Sequence, residues 1–112
     1  MIKLIQKLGD DFMVKHIILW KIDENFSEKE KQKIMSDAKR ELEALKGKVP
    51  GLLEIKLQTT KLPSSNADMM LDSTLESEDA LKGDQVHPDH VAVANGFVRP
   101  FTSERLCLDF EV

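Results

Sequence analysis

At 112 residues the chain is long enough for one hydrophobic core and too short for a cofactor domain beside a substrate domain. Its 32% charged and 41% hydrophobic residues describe a globular protein, and no run approaches the ~18 apolar residues of a membrane span. The net charge of -4 comes from interleaved acids and bases, with no basic face for phosphates and too few aromatics to stack bases, so neither nucleic acid nor a membrane is an expected partner.

The opening "MIKLIQKLGDDF" has two lysines but neither an h-region nor a small-residue cleavage site, and it does not read as a signal peptide. A cytoplasmic protein is expected. "VKHIILWKI", residues 14–22, is apolar on both alternations, as in a central strand covered on both faces. Ser27 with Glu30 three residues later is a capping box, and Gly47 followed by Pro50 is a stop signal, so a helix is expected over 28–46 with Ile34, Ala38, Leu42 and Leu45 as its apolar stripe. "LLEIKLQTT", residues 52–60, alternates as a strand with Leu53, Ile55 and Leu57 on one side. After the loop "KLPSSN", the stretch "ADMMLDSTLE" forms the other arm of a hairpin, with Met69, Leu71, Ser73 and Leu75 on one face.

Ser77 caps a short helical turn over "EDALKGDQV", and Pro88 suits the first position of a second helical segment, where it has no N–H to lose. "ERLCLDFEV" alternates as the last strand, with Leu106, Leu108 and Phe110 against Arg105, Cys107 and Asp109. The lone Cys107 cannot form an internal disulfide and fits a reducing compartment. It reads as a structural or half-exposed thiol rather than a nucleophile, having no activator beside it in sequence.

The order β-α-β-β-α-β is the α+β, ferredoxin-like arrangement: a four-stranded antiparallel sheet with helices on one face. Ile17 and Leu19 then make the other face of the first strand apolar as well. Such a patch is rare on a soluble monomer, so a homodimer joined sheet face to sheet face is expected.

Two of the three histidines fall in "HPDH". From Pro88 onward, His90 shares a helical stripe with Ala94, Phe97 and Phe101, while His87 precedes the helix as its cap. His16 has the parity of Val14, Ile18 and Trp20, so His16 and His90 approach each other if that face lies under the helices. The candidate pocket is His16, Trp20, Met69, His87, His90 and Phe97, with His90 and His16 as candidate catalytic residues. Three readings stand: satisfied core histidines, a pocket for a small apolar or aromatic molecule, or acid–base catalysis. Helix-start amide dipoles favour a neutral His90, and Asp84 and Asp89 oppose them. No metal site is expected, because His87-x-x-His90 across a proline lacks i, i+4 helical geometry. There is no Gly-rich phosphate loop and no cofactor motif.

"MVKHIILWKI" from Met13, "LKGKVPGLLEIKL", "HPDH" and the closing "ERLCLDFEV", in this order and separation, resemble the stress-responsive dimeric A/B-barrel family, often called Dabb. The resemblance covers 13–112 and leaves 1–12 as an extension outside the pattern. It implies a dimeric α/β barrel without cofactor. In a plant polyketide cyclase of that family the second histidine of the "HPxH" is the base, and a tyrosine lies three residues before the first. Here those positions are His90 and Asp84, and the chain has no tyrosine. The cyclase's first-strand histidine matches His16, and a third-strand histidine corresponds to about Met69. The resemblance thus implies the base without its phenolic partner, so aldol cyclisation of a linear polyketide is not expected. Two function classes follow: a small-molecule-binding dimer, or cofactor-free lyase, cyclase or oxygenase on a carbonyl compound, and a non-catalytic stress-related dimer.

Overall fold

The first strand, β1, spans Val14–Ile22 and buries every second side chain, from Val14 through His16, Ile18 and Trp20 to Ile22. The computed structural model describes residues 12–112, so most of the segment expected as an extension lies outside the described residues. Phe12, at its end, is buried.

The helix α1 covers Glu28–Glu43. Its capping box is present in both directions: Glu30 N–H donates to Ser27 Oγ at 3.1 Å, and Ser27 N–H donates to Glu30 Oε1 at 2.8 Å. Regular helix ends before the expected residue 46, and the chain turns through Gly47, which sits at φ +88°. Leu45 still reaches the core from that turn, beside Ile34, Ala38 and Leu42. The solvated side holds Asp37 between Lys33 and Arg40, pairs that contribute little to stability.

Strands β2, Leu52–Gln58, and β3, Met69–Leu75, pair antiparallel. The register shifts between Leu52 and Glu54, which brings Leu52 into the core and leaves Leu53 exposed, against the strict alternation expected from sequence. Gly51, at φ +80°, precedes this shift, and a Cβ there would stand 2.6 Å from Ala80 Cβ. Only glycine lets the second helical layer come this close to the sheet.

That layer begins with α2, Glu78–Val86, whose Ser77 cap accepts from Ala80 N–H at 3.0 Å. It continues as α3, Pro88–Val93, with proline in the first turn as expected. The helix then widens over Ala94–Val98, closing with a bond from Arg99 N–H to the Ala94 carbonyl, before a tight turn at Arg99–Phe101 leads into β4, Thr102–Glu111. The widening holds one more residue per turn than an α-helix and rotates the chain beyond it. Val98, rather than Phe97, therefore enters the core below Ala94.

The sheet order is β2-β3-β1-β4, the ferredoxin-like split βαβ arrangement, with β1 in the centre and β4 at the edge. The core lies between the sheet and the helices, formed by Ile18, Trp20 and Ile22 of β1, Leu71 and Leu75 of β3, and the α1 stripe. Asp68 ties the end of β1 to this layer, accepting from Ile22 N–H at 2.7 Å and from Lys61 at 2.6 Å.

On the opposite face, the β1–β4 register sets Ile17 beside Leu108, Leu19 beside Leu106 and Lys15 beside Phe110. Leu106 is 71% exposed and Leu108 64%. This is a contiguous apolar strip in which the edge strand contributes the barest side chains. Among the described residues no helix is long and apolar enough to cross a membrane.

Candidate active site

His16 lies on the inner face of the central strand, where every neighbour along the stripe is apolar, and is 2% exposed. Across β1 the register places Asp109 of β4 on one side of it and Ser73 of β3 on the other. A polar row of three residues thus crosses the sheet at the level of His16. Ser73 Oγ donates to the His16 carbonyl at 3.1 Å, and the imidazole Nδ1 makes a short hydrogen bond to Asp109 Oδ1. A carboxylate oxygen only accepts, so Nδ1 carries the proton of this bond, and in the neutral imidazole Nε2 is left with its lone pair. Nε2 is buried and has no hydrogen-bond partner among the described residues.

His90 stands in the first turn of α3 with its Nδ1 3.7 Å from Asp84 Oδ1, too far for a hydrogen bond. This Nδ1 is also buried and unpartnered among the described residues. Asp84 is itself only 4% exposed, and its other oxygen accepts from the Gln85 side chain at 3.0 Å. Burial holds the His90 imidazolium below its ordinary pKa; Asp84 pulls the other way, and the nearby His16 and Arg99 add to the lowering. His90 is therefore held toward the neutral form near pH 7, and the two imidazoles are close enough for their charges to be felt by one another.

The sequence-predicted pocket residues divide into five places, with His16 in its polar row on β1 and not among the walls of the cavity at His90. His90 and Trp20 line one cavity of about 50 Å³ under α3, with Ala94, Val98 and the aliphatic wall of Ile18 and Leu71. Phe97 is not among its walls. The widened turn swings it into a separate groove of about 210 Å³ with Phe26, Ile34 and Phe101 on the far side of the helical layer. His87 caps α3, accepting from Asp89 N–H at 3.1 Å on its Nδ1, and donates its own N–H to the Asp84 carbonyl. Met69 packs in the core beside Trp20, its partner across β1–β3.

Sequence reading missed Asp109 as the partner of His16 and Asp84 as a buried carboxylate. The parity of Asp109 with Cys107 was visible, but which β1 residue faces it depends on the register. Cys107 Sγ lies 3.7 Å from His16 Nδ1, and burial, with Asp109 next, pushes its thiol pKa up, while Arg105 works against the rise. The thiol form is favoured, as expected of a non-nucleophilic cysteine.

Residues 14–112 match the family described as the stress responsive A/B barrel domain. No curated protein matches the chain. Among solved structures, a dimeric protein of unknown function with a ferredoxin-like fold from Bacteroides fragilis is 29% identical, covering 92% of this chain and 99% of its own, at a TM-score of 0.84. A dimeric ferredoxin-like protein of unknown function from Thermobifida fusca is 21% identical over 91% of this chain and 92% of its own, at 0.73. A hydroxynitrile lyase from Passiflora edulis is 20% identical over 90% of this chain and 94% of its own, at 0.69.

Proposed function

The chain belongs to the stress responsive A/B barrel domain family, and on that premise we propose that it is a homodimer that holds a small polar molecule at His90, with the buried His16 nearby. The observation that carries this reading is the pair of buried, unpartnered imidazole nitrogens, His16 Nε2 and His90 Nδ1, in one small domain. Leaving a buried polar atom unsatisfied costs about 1 to 3 kcal/mol, and such atoms are few in folded proteins unless a ligand or water completes them. The cavity beside His90 is narrow: at about 50 Å³ it takes a hydroxyl, carbonyl or similar group rather than a large ring.

The dimer is supported by the apolar strip of Ile17, Leu19, Leu106, Leu108 and Phe110, and by the dimeric description of the Bacteroides fragilis and Thermobifida fusca proteins. Pairing of two such strips removes the exposed leucines from water. A cytoplasmic setting is consistent with the lone thiol.

A second reading, acid–base catalysis without cofactor on a small hydroxyl or carbonyl compound, is favoured by one feature. Asp109 fixes the His16 tautomer so that Nε2 is a proton acceptor facing the interior. His90, held neutral, is the second proton carrier. The lyase among the structural neighbours is compatible with this chemistry.

Native mass spectrometry of freshly purified protein tests the reading. The expected spectrum is a dimer carrying a small-molecule adduct, and His90→Ala keeps the dimer while the adduct disappears. A bare dimer, with a loss of about 2 to 4 kcal/mol in His90→Ala from the cavity left behind, would instead make these histidines core residues.

A further inference from the structure

Away from the interior-facing nitrogen of His16, the inner face of the β1–β4 pair gathers three kinds of metal-binding side chain at one point. Asp109 is directly opposite His16 in the β1–β4 register, and Cys107 faces Ile18, hence the same side of the sheet. His16 Nδ1 touches Asp109 Oδ1, and Cys107 Sγ lies 3.7 Å from that nitrogen and 3.6 Å from that oxygen. The three donor atoms are within 4.8 Å of one another. Strand pairing fixes their backbone positions and burial fixes the imidazole, while Cys107 and Asp109 remain open to solvent.

Zn²⁺ takes tetrahedral sites with Zn–S near 2.3 Å and Zn–N or Zn–O near 2.0 to 2.2 Å, which sets sulfur about 3.5 Å from its nitrogen and oxygen neighbours. Both sulfur separations are already close to that value. The nitrogen–oxygen contact is too short for a shared ion and opens by rotation of the exposed Asp109 side chain. We infer that His16, Cys107 and Asp109 form a three-ligand site for a borderline divalent cation of the Zn²⁺ class, with its fourth position toward solvent. A mixed nitrogen, thiolate and carboxylate donor set suits Zn²⁺ and Co²⁺ and disfavours Mg²⁺ and Ca²⁺, which select oxygen. An ion on Nδ1 requires the imidazole proton to sit on Nε2, so that the interior nitrogen turns from acceptor to donor.

The test uses the full-length protein and the ions alone. Titration with Co²⁺ is expected to give one ion per chain with a thiolate-to-cobalt charge-transfer absorption, and Cys107→Ser removes that band. Asp109→Asn lowers Zn²⁺ affinity by at least about tenfold, as even loss of an outer-shell partner commonly does. Both replaced side chains are exposed, so the variants keep the fold, which circular dichroism checks. His87→Ala, altering a histidine outside the cluster, leaves binding unchanged. Absence of the band in wild type, or Zn²⁺ affinity that is indifferent to Cys107→Ser and Asp109→Asn, overturns the site.

Discussion

Glutamate in place of Leu108 is expected to turn the dimer into a monomer without unfolding it. Leu108 is 64% exposed in the single chain, so the substitution adds no burden to the core. Its neighbours on the outer face are Ile17, directly across β1–β4, and the Leu19–Leu106 pair beside it. In a sheet-to-sheet dimer the new carboxylate would be taken out of water among these apolar side chains, the nearby Lys15 being already paired with Asp72, at a cost of several kcal/mol. Two-fold symmetry applies that cost at both copies. Light scattering at micromolar concentration should give the monomer mass for Leu108→Glu and the dimer mass for wild type, with unchanged far-ultraviolet circular dichroism. Wild type running as a monomer would remove the dimer itself.

The second large effect is a separation of stability from binding in His16→Leu. Leucine has roughly the volume of imidazole and no polar atom, so the variant relieves the buried, unpartnered Nε2. Asp109 loses its partner but remains solvated at the sheet edge, and the orphaned carboxylate costs little. Stability should therefore stay within about 1 kcal/mol of wild type or rise, about 4 to 8 °C in Tm for each kcal/mol in a domain of this size. Any retained molecule should be lost altogether. Functional polar groups in a core commonly lower stability in this way. A variant that loses about 2 to 4 kcal/mol while binding is unaffected would make His16 a structural residue.

The elements were legible wherever the signal is local. The Ser27–Glu30 box, the proline opening α3, the apolar run of β1 and the alternation of β3 and β4 each depend on a few neighbouring side chains, and each stands where the local pattern places it. Two departures came from backbone irregularities with no clear composition of their own. The register shift at Leu52 and Glu54 inverted the start of β2, and the widened turn at Ala94–Val98 exchanged Phe97 for Val98. The histidines show the same division. That His16 and His90 both face inward follows from parity and helical spacing. That Asp109 holds one imidazole, with Cys107 beside it, follows only from the pairing of strands separated by most of the chain.

Which nitrogen of His16 carries the proton is read directly by long-range ¹H–¹⁵N correlation spectra of histidine-labelled, metal-free protein, recorded at neutral pH and through a series of lower values. The predicted spectrum has His16 protonated at Nδ1 and bare at Nε2. In the same series His90 stays neutral to lower pH than an ordinary imidazole. Because its folded pKa is depressed, the unfolded chain binds more protons below about pH 6.5, and stability falls as pH drops through that range. A proton on Nε2 of His16 in the metal-free protein would contradict the account, for the interior would then hold no proton acceptor at that position.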